Sequence, residues 1–334
     1  MLSFANRPQR LYNFRMRKKI FIGFDKAKSN SSLRFVTKNA FLHRFADSDD
    51  LEFTYNLDED VKDALFFSAE DFLAFLSVIN SRGDIKTSVI CCNDITDFSI
   101  VGKGDERHLV LAQTAFNLYP RADRLLVFAK SQSLFLKKMG ISKEPLVIQP
   151  FPTFHNDDMP NSERNAFRSY YHIPKSKPII ASFGTYGNRM QFELFESLAR
   201  LNPDKEFIFF GHSGREFVNK KLLEKFTDND TDNIRYENYL PEELYHSGLM
   251  EINGVIFLQG VLASPIILLD LILHHIPLIA YKPLTLQDLI NEHNTLIPKD
   301  FPSLYQAVRD FTFKNKSEEA ISSLKSWTGS SKLE

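Results

Sequence analysis

Residues 254–281 read Gly-Val-Ile-Phe-Leu-Gln-Gly-Val-Leu-Ala-Ser-Pro-Ile-Ile-Leu-Leu-Asp-Leu-Ile-Leu-His-His-Ile-Pro-Leu-Ile-Ala-Tyr, and few folds can accommodate such a stretch. Its length raises a membrane reading, since a span needs ~20 apolar residues. Gln259, Pro265, Asp270, His274 and His275 break the run too often for that. It parses instead as a buried strand at 255–258, a loop, a helix opening at Ser264-Pro265, and a second buried strand at 278–281. Strands that are apolar at every position belong to parallel sheets covered on both faces. Ser264 is suited to cap the helix, and Pro265 to its first turn, where a missing N–H costs nothing. A helix that opens just past the carboxyl end of a parallel strand turns its free N–H groups and positive dipole end into the crevice there. That arrangement suits a phosphate or diphosphate, so a nucleotide site is predicted.

The same alternation runs along nearly the whole chain. Strands are predicted at 19–24, 64–68, 87–92, 124–128 and 146–149, then at 178–183, 206–210, 234–236, 254–258 and 277–281. Helices are predicted between them at 69–78, 108–119, 131–139, 162–171, 191–201, 241–249 and 265–274. This is the pattern of doubly wound α/β folds. The stretch Pro150-Phe-Pro-Thr-Phe-His-Asn-Asp-Asp-Met-Pro160 cannot continue a helix or a central strand. With 334 residues, the chain is long enough for two domains with separate cores. The expected organisation is a basic extension at 1–18, one α/β domain at 19–152 and a second at 153–334, facing each other across a cleft. The Ser- and Lys-rich tail after Lys316 is expected to form a last amphipathic helix.

Charge and cysteine content narrow the class. The formal net charge is −1, which argues against a nucleic-acid binder, whose footprint is broadly basic. Before Asp25 the chain nevertheless carries Arg7, Arg10, Arg15, Arg17, Lys18 and Lys19 and no acid. Two readings stand for this arm: a loose extension ahead of the fold, or a contact of residues 1–19 with an anionic membrane surface. No secretory signal pattern precedes the fold. Cys91 and Cys92 are adjacent in a predicted strand and point to opposite faces, so they read as reduced residues of a cytoplasmic protein. Asp-x-Asp patterns at Asp58/Asp60, at Asp47/Asp49 and within Asp228–Asp232 lie in polar, turn-rich segments, and the two cysteines have no metal-ligand spacing.

Several segments resemble, in order, those of the retaining GT-B glycosyltransferases. Residues 172–184 resemble that family's first strand of the nucleotide-binding domain, which ends in a Gly-containing loop. Phe207-Ile-Phe-Phe-Gly-His-Ser-Gly214 resembles its next strand and Gly-x-Gly turn. Residues 233–244 resemble the strand and loop that lie against the base. Leu269-Asp-Leu-Ile-Leu-His-His-Ile-Pro-Leu-Ile-Ala280 resembles the helix written Leu-Glu-Ala-Met-Ala-x-Gly-x-Pro-Val-Ile-Ala. Residues 122–131 and 137–141 resemble the last strand and helix of the family's acceptor-side domain. In the family's Glu-x7-Glu motif, Asp270 stands at the second position, on the donor ribose, and Leu262 at the first.

The resemblance implies a metal-independent transfer of a hexose from a nucleotide sugar to a glycan or glycolipid, in bacterial surface polysaccharide or glycolipid synthesis. No cofactor is implied, the nucleotide sugar being the substrate. It places Gly184, Arg189, Gly211, His212, Leu240, Ser264, Pro265 and Asp270 around the donor. A leaving diphosphate accumulates negative charge, and fixed cationic and N–H donors aimed at it are worth several kcal/mol. Arg189 is the forked cation suited to that task. Asp94, past the carboxyl end of the predicted strand at 87–92, is the candidate to orient or deprotonate an acceptor hydroxyl. Leu262 and the lack of a second cation beside Arg189 motivate the alternative: a GT-B-shaped binding or scaffold protein without turnover.

Overall fold

A computed structural model of the chain describes residues 17–24, 32–45, 48, 50–91, 115–138, 140–148, 165–185, 189–212, 231–237, 240–258, 265–281, 290 and 294–310. The expected two doubly wound sheets are both present. The first holds β1 (Lys18–Gly23), β2 (Leu51–Thr54), β3 (Asp63–Phe66), β4 (Lys86–Ile90), β5 (Arg124–Val127) and β6 (Leu146–Val147), in the order β2-β1-β3-β4-β5-β6. The second holds β7 (Ile179–Thr185), β8 (Glu206–His212), β9 (Ile234–Glu237), β10 (Gly254–Phe257) and β11 (Leu278–Ala280), in the order β11-β10-β7-β8-β9. All their pairings are parallel.

Around the first sheet lie α1 (Ser32–Arg44), α2 (Ala69–Arg82) and α3 (Lys130–Lys138). With the second sheet come α4 (Ala166–Tyr170), α5 (Arg189–Leu201), α6 (Glu242–Glu251), α7 (Pro265–Leu273) and α8 (Phe301–Asp310). Of these elements, β2, α1 and α8 were not predicted. The predicted tail helix, the first part of the predicted helix at 108–119 and the proposed boundary at 150–160 lie outside the described residues.

Helix ends follow local chemistry. Ser68 caps α2 by accepting the Asp71 N–H at 3.0 Å, and Gly83 closes it at φ 63°. Four helices stop in a left-handed residue, which costs glycine nothing and other residues a Cβ clash. Gly83 (φ 63°) and Gly140 (φ 90°) fill that place after α2 and α3, but His172 (φ 53°) and His275 (φ 57°) fill it after α4 and α7. At α7 the His275 N–H donates to the Ile272 carbonyl at 3.0 Å and the Ile276 N–H to Leu271 at 2.9 Å, the paired bonds of a Schellman motif.

Segment 165–177 is fastened to α6. The Phe167 N–H donates to Ser247 Oγ at 2.9 Å. The Arg168 guanidinium pairs with Glu251 and also donates to the carbonyls of Pro174 and Lys177, each at 2.9 Å. The two sheets meet through α1, which packs against α6 and α7. One apolar cluster runs from Ile22, Val36, Ala40 and Phe41 through to Leu249, Ile266 and Leu269.

Candidate functional site

In the second sheet the chain moves outward from β7 to β8 and β9, then returns to place β10 and β11 on the other side of β7. Connections therefore leave β7 and β10 in opposite directions, and a crevice opens beyond their carboxyl ends; ligands of open α/β sheets bind at such a switch point. The β7–β10 ladder registers Ile180 with Gly254 and Ala181 with Val255. One residue further, the fully buried Ser182 hydroxyl donates to the Ile256 carbonyl at 2.7 Å, so a side chain ties the two strands just below the crevice. Two helices begin beyond this point: α5 at Arg189, after β7, and α7 at Pro265, after β10. Their amino ends offer N–H groups and dipole charge to the same place.

The predicted donor residues fall as follows. Gly184 and Gly211 are register partners across β7 and β8, and His212 is the partner of Thr185, so all three cap the carboxyl edge of the sheet. Arg189 and Pro265 are the first residues of α5 and α7. Leu240 is buried and its side chain faces α6, where a Cβ on Gly248 would come 3.4 Å from it. Ser264 and Asp94 lie outside the described residues.

Asp270 sits within α7, all of whose residues from Pro265 to Ile272 are buried. Only 1% of Asp270 is exposed, and its Oδ2 accepts the Tyr245 hydroxyl of α6 at 2.9 Å. Burial, and then the Asp270 carboxyl beside it, push the Tyr245 hydroxyl well above its ordinary value. That phenol stays protonated and serves as a fixed donor to the carboxyl. Two imidazoles belong to the same region, His246 on α6 and His274 just past the end of α7, where its N–H donates to the Asp270 carbonyl at 2.9 Å. Burial, followed by the nearby His274, lowers His246 to about 4; burial, followed by His275, lowers His274.

One further acid at this edge escaped the sequence reading. Glu237 ends β9, and burial raises its carboxyl pKa while Arg235 pulls it down. A perturbed acid at the carboxyl end of a parallel strand is a site candidate on physical grounds. Its only signal in the sequence was an acid closing the run Ile234-Arg-Tyr-Glu. Among the described residues no group of three or more His, Cys, Asp or Glu side chains could hold a metal ion. Asp60, from one of the Asp-x-Asp pairs, is instead salt-bridged to Lys19 at 2.6 Å.

No protein-family model matches the chain, and no curated protein matches it. Solved structures do. Anabaena HepE (Alr3699), crystallised with UDP and glucose, superposes with a TM-score of 0.61 at 12% identity over 93% of this chain and 96% of that one. The fold is GT-B. WaaG, a glycosyltransferase of lipopolysaccharide biosynthesis, gives a TM-score of 0.57 at 11% identity over 93% of this chain and 100% of that one. A glycosyltransferase from Rickettsia africae ESF-5 gives 0.52 at 12% identity over 93% and 94%. Each of these matches covers 93% of the chain, so the likeness of fold extends over both sheets. Among the described residues no helix is long and apolar enough to cross a membrane.

Proposed function

We propose that this chain is a retaining, metal-independent glycosyltransferase that moves a hexose from a nucleoside-diphospho-sugar to a glycan or glycolipid acceptor. The observation that carries the reading is the switch point between β7 and β10, where α5 and α7 both open and Gly184 and Gly211 stand side by side. Neighbours of this fold bind nucleotide: HepE has been crystallised with UDP and with UDP-glucose. In this reading the amino ends of α5 and α7 hold the diphosphate, with Arg189 and Ser264 adding a cation and a hydroxyl. The glycines let the donor approach the backbone, and His212 and Leu240 border it. Asp270 addresses the ribose, and Asp94 orients the acceptor hydroxyl from the first sheet. The reaction fits a cytoplasmic enzyme of surface-polysaccharide or glycolipid synthesis, with the arm at 1–19 resting on the inner face of the membrane.

One observation favours a second reading, a GT-B protein that binds without turning over. Asp270 is buried and already holds Tyr245, so a ribose reaches it only by displacing what covers it. A thermal-shift titration against UDP, GDP, ADP, dTDP and CMP separates the outcomes. A nucleotide at about 100 times its Kd stabilises by ~2.7 kcal/mol. A shift with one base, abolished in Arg189→Ala, supports a live donor site, and donor turnover then decides between enzyme and scaffold. No shift with any nucleotide sinks both forms of the nucleotide-site assignment.

A further inference from the structure

A ribose presents neighbouring 2′- and 3′-hydroxyls, and a carboxylate takes both by giving one oxygen to each. Asp270 has one of its oxygens engaged already. Its Oδ2 accepts the Tyr245 hydroxyl at 2.9 Å, and both residues are buried. Burial, and then the carboxyl beside it, keep the phenol protonated far above neutral pH, so it is a permanent donor to that oxygen. At most the other oxygen can serve a sugar hydroxyl. One oxygen needs only one partner, and the 3′-hydroxyl, present in ribose and 2′-deoxyribose alike, can be that partner.

The surroundings hold the contact in place. Aspartate turns about only two side-chain bonds, and Asp270 sits on α7 between Leu269 and Leu271, both wholly buried. Tyr245 lies on α6, which is fastened from outside: the Phe167 N–H donates to Ser247 Oγ at 2.9 Å, and Arg168 pairs with Glu251. α1 packs against α6 and α7 alike. A 2′-hydroxyl that displaced the phenol from Oδ2 would strand a buried O–H, which costs about as much as the new hydrogen bond returns. A 2′-hydroxyl that left the phenol in place would find that oxygen taken. By either route it adds little to binding.

We propose that this site takes 2′-deoxyribose nucleoside diphosphates as readily as their ribose counterparts, because Tyr245 holds the oxygen of Asp270 that would read the 2′-hydroxyl. At the ribose position, a donor of the thymidine diphospho-sugar kind is then as acceptable as a uridine one. This holds for the nucleotide site of the preceding section in its enzyme and its binding-only form alike, and rests on Asp270 as the acid that addresses the ribose. A site with both carboxylate oxygens open would instead favour the ribonucleotide on the order of tenfold or more, since the deoxy analogue forfeits a charged hydrogen bond.

Isothermal titration of the full-length protein with matched pairs, UDP against dUDP, GDP against dGDP, ADP against dADP and CDP against dCDP, tests this. For whichever base binds, the two Kd values should agree within about threefold. Tyr245→Phe, checked for its fold by circular dichroism, releases Oδ2 and should restore a ribose preference on the order of tenfold. A wild-type ribose preference of about tenfold or more overturns the proposal and leaves the nucleotide site standing. So does an unchanged ratio in a folded Tyr245→Phe protein, because Tyr245 is then not what keeps the 2′-hydroxyl from being read. Absence of binding in every pair overturns the nucleotide-site reading itself, and this inference with it. If Tyr245→Phe does not fold, the wild-type ratio decides alone.

Discussion

His275 is a histidine in a glycine's place, and replacing it should strengthen the protein. The residue ends α7 at φ 57° inside a Schellman motif, and its side chain is exposed, so no packing is lost on removal. A left-handed conformation costs an L-residue with a Cβ roughly 1–2 kcal/mol. Glycine escapes that cost but gives back about 0.4–1 kcal/mol through the freedom it adds to the unfolded chain. His275→Gly should therefore stabilise by about 0.5–1 kcal/mol, and His275→Ala, which keeps the Cβ, should not. Urea melts followed by far-UV circular dichroism at pH 7.5 would read this as a midpoint shift on the order of 0.2–0.3 M. His172→Gly, in the same motif after α4, should behave alike, and the two gains should add, since the sites share no hydrogen bond. Glycine and alanine giving the same midpoint at position 275 would refute the strain argument, because the whole effect rests on the Cβ.

Gly23→Ala should destabilise by roughly 1–3 kcal/mol, the usual cost of overpacking. A Cβ there falls on the Cδ1–Cε1 edge of the Phe66 ring, which is wholly buried and flanked by Phe72 at 5.1 Å and Phe21 at 6.4 Å. Adding Phe66→Leu should recover part of the loss in the same melts; a double variant weaker than the sum of the two would count against the contact. Tyr245→Phe should cost about 1–3 kcal/mol by leaving the buried Asp270 carboxyl short of a donor, and a neutral result would show that Asp270 does not need the phenol. Acid should weaken the fold through His246. Its imidazole protonates near 6.5 when unfolded but stays neutral in the fold down to about 4, so the unfolded chain binds the extra proton and stability falls as pH drops through that window. His246→Gln should flatten the thermal-melt profile between pH 6.5 and 4; an unchanged slope would assign the loss to other groups.

The parts of this fold that could be read in the sequence are those whose burial is local. β10, α7 and β11 were legible because each strand is apolar at every position and the helix between them opens at a proline and stops at histidines. β2 was not: it is four residues at a sheet edge, three half-buried and one, Glu52, exposed. α1 carries Val36, Ala40 and Phe41 at helical spacing, but it follows a polar run, and part of the surface that buries it comes from α6 and α7 in the other half of the chain. α8 left a clear trace in Asp300-Phe-Pro-Ser, where Asp300 Oδ1 accepts the Ser303 N–H at 2.9 Å. At the site, the glycine pair and the two helix starts were legible because strand ends and helix caps are sequence-local. The tie between Asp270 and Tyr245 was not, because neither residue belongs to a repeating pattern and their helices meet only in the folded core.

The packing of α1 on α6 and α7 also has a consequence for the birth of the protein. α1 leaves the ribosome long before the two helices that complete its burial. At ~5–20 residues per second, the stretch between Arg44 and Pro265 takes on the order of 10–40 s to synthesise. Throughout that interval the first half of the chain can close its sheet and seat Phe41 against Phe53 and Phe67, yet the side of α1 that meets α6 and α7 has no cover. A nascent chain of this design is a natural client for a chaperone at α1, and a fragment ending near residue 150 would carry the same sticky face permanently.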